Sequence, residues 1–118
     1  MIKGHGDDIY AYPHISANFS SNVFGGLSHE GLKEYLMEKM DCIRNYPEPE
    51  AFSLEQELAD RYQTDVEGIC VTSGATEAIY LIAQAYRESR SAILMPTFSE
   101  YADACRLHAH EIVPFYTL

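Results

Sequence analysis

Basic residues are scarce in this chain: 8 Lys and Arg stand against 18 Asp and Glu, a formal net charge of -10. No Lys/Arg cluster offsets that balance locally, so the molecule repels nucleic-acid phosphates and anionic membrane surfaces, and neither is expected as a partner. Cysteine is also sparse. Cys42, Cys70 and Cys105 are odd in number, widely spaced and form no C-x-x-C. That pattern excludes a disulfide scaffold and fits reduced thiols in a cytoplasmic protein, each most simply a small core residue. No apolar run approaches the roughly 20 residues of a membrane span, and Met1 to Tyr12 lacks the apolar segment of a secretory signal. There is no internal repeat, linker or low-complexity tract. What is present, 47% hydrophobic and 12% aromatic content in 118 residues, is the composition of one globular domain with a real core.

The patterning predicts an irregular lead to about Gly26, then a helix from Ser28, as N-cap, to Arg44 with Leu32, Leu36, Met40 and Ile43 on one face. Pro47 and Pro49 prevent its continuation. A second helix opens at Ser53 with the capping-box pattern Ser53-x-x-Gln56 and carries Leu54, Leu58 and Tyr62 at four-residue steps. From there strand and helix alternate: strand Ile69 to Thr72, helix Ala75 to Glu88, strand Ala92 to Met95, helix Ser99 to His108, strand Glu111 to Phe115. Such alternation implies an α/β fold with a parallel sheet and right-handed crossovers.

The most telling junction is Val71-Thr72-Ser73-Gly74-Ala75-Thr76-Glu77, where the first strand turns into a helix. A turn of small residues at a helix N-terminus exposes several backbone N–H groups at the positive end of the helix dipole, which favours an anion such as a phosphate. Gly74 permits close approach of the backbone, and the Ser73 and Thr76 hydroxyls can add donors. The same residues also serve as an ordinary helix cap, and the turn alone leaves both uses open. Cys105, His108 and His110 have spacings that could hold zinc, but no second ligand pair exists and the helix should bury Cys105, so no metal is expected. The pair Asp7-Asp8 reads as a solvated terminal charge.

Three motifs, Asn45-Tyr46-Pro47-Glu48-Pro49, Ser73-Gly74-Ala75-Thr76-Glu77 and Pro96-Thr97-Phe98-Ser99-Glu100-Tyr101, occur in order and together resemble the N-terminal third of fold-type I pyridoxal-phosphate (PLP) enzymes. The resemblance implies a three-layer αβα fold. Residues 1–50 would form an N-terminal arm and first helix, part of a small domain, and residues 51–118 the start of the large PLP-binding domain, whose first strand lies several strands away from the second and third, so that the sheet would lack its middle here. The branches it resembles are histidinol-phosphate aminotransferase and the threonine-phosphate decarboxylase of cobalamin synthesis. His5-Gly6 and Asn18-Phe19-Ser20-Ser21-Asn22 are similar to the decarboxylase's early stretches, although Asn18 stands where an aspartate is usual and Asp7 where a second glycine is usual.

Carried over motif by motif, the resemblance implies a cofactor phosphate on Gly74, Ala75 and Thr76, and a cofactor ring stacked on Phe98. Without the family, Phe98 reads as an ordinary core residue. Tyr46 would reach across a homodimer interface to the neighbour's cofactor phosphate, or else is a turn tyrosine packed beside Pro47. His5, Gly6 and Asn22 would approach a phosphorylated amino-acid substrate, or else make loop hydrogen bonds. The implied reaction is PLP-dependent decarboxylation of L-threonine O-3-phosphate. An aminotransferase is the alternative within the family, and a small non-catalytic module for a phosphate-bearing ligand the alternative outside it. Family enzymes are about three times as long, and Lys3, Lys33 and Lys39 do not stand at the family's Schiff-base lysine, so that residue is expected beyond Leu118 and no catalytic residue within the chain.

Overall fold

The computed structural model describes residues 9–22 and 26–117. They divide between Ala51 and Phe52 into two compact units.

The first unit carries a short 3-10 turn, Ile9–Ala11, and one α-helix, α1, Glu30–Glu38, followed by a 3-10 turn, Met40–Arg44. The single helix expected over Ser28 to Arg44 is therefore broken. Lys39 ends α1, and the bonds from Cys42 N–H to the Lys39 carbonyl and from Asn45 N–H to the Cys42 carbonyl tighten the chain to three-residue spacing before Pro47. The N-cap position falls on His29 instead of Ser28, whose hydroxyl accepts from Glu30 N–H only at 3.5 Å. Leu32 and Leu36 lie in α1 and Met40 and Ile43 in the 3-10 turn, and all four are exposed.

In the second unit, α2 spans Phe52–Tyr62, α3 Ala75–Ala85, β1 Arg90–Met95, α4 Ser99–Leu107 and β2 Glu111–Tyr116. Helix α2 begins at Phe52, one residue before Ser53, which therefore falls in the first turn and not at the N-cap position. Gln56 instead donates to the Asp60 carboxylate one turn ahead. Strands β1 and β2 are parallel, in register from Arg90 opposite Glu111 to Met95 opposite Tyr116. Pro114 lies opposite Ile93 and supplies no N–H, a residue that sheets tolerate at their edges.

The stretch expected as the first strand does not join the described ladder, which contains two strands only, in keeping with a first strand that lies several strands away from the other two. Ile69 is extended (φ −112°, ψ 138°), as its β-branched side chain favours, yet a strand is defined by a partner, and Val71 N–H is taken by the Glu55 carboxylate at 3.1 Å. This overturns one cysteine expectation. Cys70, in this unpaired stretch, is exposed, as is Cys42 on its 3-10 turn. Only Cys105 is a core residue, packed with Ile93 and Ala102 against Met95 and Ile112. Alanines provide most of the remaining burial: Ala59, Ala83 and Ala104. Helix α4 packs against α3 and against both strands.

No helix among the described residues is long and apolar enough to cross a membrane.

Candidate functional site

The phosphate-type turn is set by Gly74. It occupies the N-cap of α3 with φ 83° and ψ 173°, a conformation nearly confined to glycine. A Cβ built there meets nothing within 4 Å, so the glycine is required for its backbone and not for space. Gly74 N–H donates to the Thr72 carbonyl at 2.8 Å, while the Thr72 hydroxyl donates to the Gly74 carbonyl at 3.0 Å. These two bonds close the turn. The N–H groups of Ala75 and Thr76 belong to the first turn of α3, where no intrahelical acceptor is available.

One anionic oxygen is already held there. Ser73 N–H donates to the Glu77 carboxylate, which reaches back over the first helical turn. This is a local capping contact: the carboxylate takes up one backbone donor of the turn, while Gly74 N–H is used by the Thr72 carbonyl and the N–H groups of Ala75 and Thr76 keep the orientation of a first helical turn. Glu77 is a site feature that the motif analysis passed over, although an acidic residue three positions after a glycine N-cap is a capping signature.

Phe98 occupies the N-cap of α4, after the cis Met95–Pro96 peptide and Thr97. It is 46% exposed, so the ordinary core role does not apply. Its ring meets Tyr101 edge to face at 6.4 Å, which leaves it in a fixed setting. Tyr80 and Glu100 join the two helices: the Tyr80 hydroxyl donates to the Glu100 carboxylate at 2.9 Å. That bond, together with desolvation and the charges of Glu100 and Asp103, holds the phenol above its ordinary value of 10. Residues 20 apart on two helices have no signature in a linear pattern, and sequence analysis missed this pair.

His110 is likewise structural here. Its Nε2 lies 2.8 Å from the Ala83 carbonyl and its Nδ1 2.7 Å from the Ser91 hydroxyl. The carbonyl can only accept, so Nε2 carries the proton and Nδ1 accepts from Ser91. Cys105 is buried in the core. A cavity of about 480 Å³ opens between α3, β1 and α4, lined by Ile79, Ile82, Leu94 and Tyr101 among others, and it does not include Gly74, Ala75, Thr76 or Phe98.

Of the remaining sequence-predicted positions, Tyr46 is 99% exposed, in the stretch after the 3-10 turn. Asn22 is exposed. His5 and Gly6 lie outside the described residues. Asn18 Oδ1 accepts from both Ser20 N–H (2.9 Å) and the Ser20 hydroxyl (2.7 Å), so the amide oxygen closes the turn that an aspartate would close.

The family model for aminotransferase class I and II matches residues 15–118. The chain is 33% identical over 95 residues to a threonine-phosphate decarboxylase of Salmonella typhimurium, covering 80% of this chain and 26% of that protein. It is 33% identical over 81 residues to a histidinol-phosphate aminotransferase of Chromohalobacter salexigens, covering 66% of this chain and 23% of that protein. The crystal structure of L-threonine-O-3-phosphate decarboxylase from Porphyromonas gingivalis superposes with a TM-score of 0.78 at 46% identity, over 82% of this chain and 31% of that one. The chain thus spans less than a third of the length of these relatives. The expected α/β, fold-type I architecture holds, with its parallel strands and intervening helix in place.

Proposed function

Because the chain belongs to the aminotransferase class I and II family, we propose that the protein of which these residues form part decarboxylates L-threonine O-3-phosphate to (R)-1-amino-2-propanol O-2-phosphate, with pyridoxal 5'-phosphate as cofactor, in cobalamin synthesis. The observation that carries the cofactor assignment is the turn at α3, whose Ser73 N–H already holds a carboxylate oxygen. Gly74, Ala75 and Thr76 would hold the cofactor phosphate, and Phe98 would lie against its ring. Bound there, the cofactor supplies an electron sink for the bond broken at the substrate's α-carbon.

The chain's own contribution is binding and orientation. Two helix N-termini, each offering partial positive charge, come from the same compact unit. An aromatic ring such as Phe98 favours a flat, electron-poor ring by about 0.5–1.5 kcal/mol beyond simple burial. The branch assignment is supported by the 46% identity to the Porphyromonas gingivalis decarboxylase and by the Asn18 turn, which reproduces an aspartate's acceptor role. His5, Gly6 and Asn22 are assigned to the substrate's anionic groups. The active unit is a homodimer in which the partner's Tyr46 completes the phosphate site, a role supported by the near-complete exposure of Tyr46. The exposed thiols of Cys42 and Cys70 fit the reducing cytoplasm.

The full-length protein, given PLP and L-threonine O-3-phosphate, is expected to release carbon dioxide, and its Phe98→Ala variant to release less. Absence of release, with amino transfer from histidinol phosphate to 2-oxoglutarate, would instead assign it to the aminotransferase branch.

A further inference from the structure

We propose that the Tyr80–Glu100 hydrogen bond is a positioning clamp: it fixes the N-terminal turn of α3 against the N-terminus of α4, and so fixes the phosphate turn relative to the Phe98 ring. The inference rests on the cofactor assignment above and adds two residues outside the family motif of the turn. Tyr80 lies four residues after Thr76, one helical turn further along the same face and about 6 Å along the axis. Glu100 lies two residues after Phe98, in the first turn of α4. The 2.9 Å bond therefore joins the two helices about one turn from Thr76 and two residues from Phe98.

Its chemistry suits positioning and not proton transfer. Glu100 stands where the α4 dipole favours a negative charge, so the acceptor is already stabilised by its own helix. Tyr80 remains a donor at neutral pH, because the carboxylate that accepts its hydrogen bond also opposes its ionisation. The bond is partly buried, which shields it from competing water. Further along α3, the bond between His110 and the Ala83 carbonyl ties the same helix to the segment entering β2, so α3 is held from two sides.

The test uses the full-length protein with Tyr80→Phe, Glu100→Ala and Glu100→Gln variants. In the absence of ligand, amide hydrogen exchange at Gly74 to Thr76 and at Phe98 to Tyr101 should accelerate about tenfold in Tyr80→Phe and Glu100→Ala, as loss of a hydrogen bond to a charged group implies. Glu100→Gln, which keeps a carbonyl acceptor, should stay within about twofold. PLP should bind about tenfold more weakly to the first two variants, and the circular dichroism of its visible band should fall, whereas Glu100→Gln retains both. Unchanged exchange in Tyr80→Phe would overturn the clamp, as would unchanged PLP affinity and dichroism. If the unmodified protein takes up no PLP, the cofactor assignment fails, and the exchange result still decides whether the clamp exists.

Discussion

Gly74 shows how much can depend on one backbone angle. With φ at 83° and open space around the missing Cβ, substitution by alanine introduces no clash and penalises the backbone alone. We expect Gly74→Ala to lower stability by about 1–3 kcal/mol in a denaturant melt of the full-length protein, with weakened PLP binding. Glu77 makes the opposite prediction for anions. Its carboxylate holds Ser73 N–H beside the turn, so a phosphate drawn to the first-turn N–H groups of Ala75 and Thr76 would meet a negative charge already in place. Glu77→Ala should tighten inorganic phosphate, read by titration of the turn's amide resonances, while lowering stability by about 0.3–1 kcal/mol through loss of a negative charge at the helix N-terminus. Weaker phosphate binding in that variant would mean that Glu77 supports the anion site and does not compete for it.

At the scale of elements, helices and strands formed where local pattern and packing agreed. Helix α4 buries Ala102, Ala104 and Cys105, with Ala102 and Cys105 packed on Ile93 of β1, and it follows the span expected from the sequence. The stretch Ile69 to Thr72 has strand composition but pairs with nothing among the described residues, because a strand is completed by a neighbour that no local pattern supplies. The union of α3 with α4 has a pH signature. Tyr80 titrates above its ordinary value in the folded state, so the stability it contributes is fully present below pH 10 and is lost as pH rises through its folded-state value. Thermal melts between pH 9 and 11 should therefore show a decline that is smaller in Tyr80→Phe. Equal declines would place the loss in the other tyrosines.

For the whole molecule, the distribution of apolar surface is the governing fact. Among the described residues only Ala59, Ala83, Ile93, Ala102, Ala104 and Cys105 are buried, while Leu36, Ile43, Ile82, Leu94 and Phe115 are all more than half exposed. So small a core offsets little of the entropy of ordering the chain. The 118 residues on their own should melt broadly and bind a hydrophobic dye; a sharp melt without dye binding would favour a self-standing phosphate-binding module. The sequence by itself determined the α/β alternation, the family motifs and the glycine turn, because each is a local pattern of hydrophobicity, capping or backbone freedom. Two outcomes were decided only by tertiary structure: the exposure of Cys42 and Cys70, and the Tyr80–Glu100 bond. Each depends on which distant segments come to lie side by side, and burial, ladder pairing and inter-helix hydrogen bonds are properties of such pairs and not of a single stretch of chain.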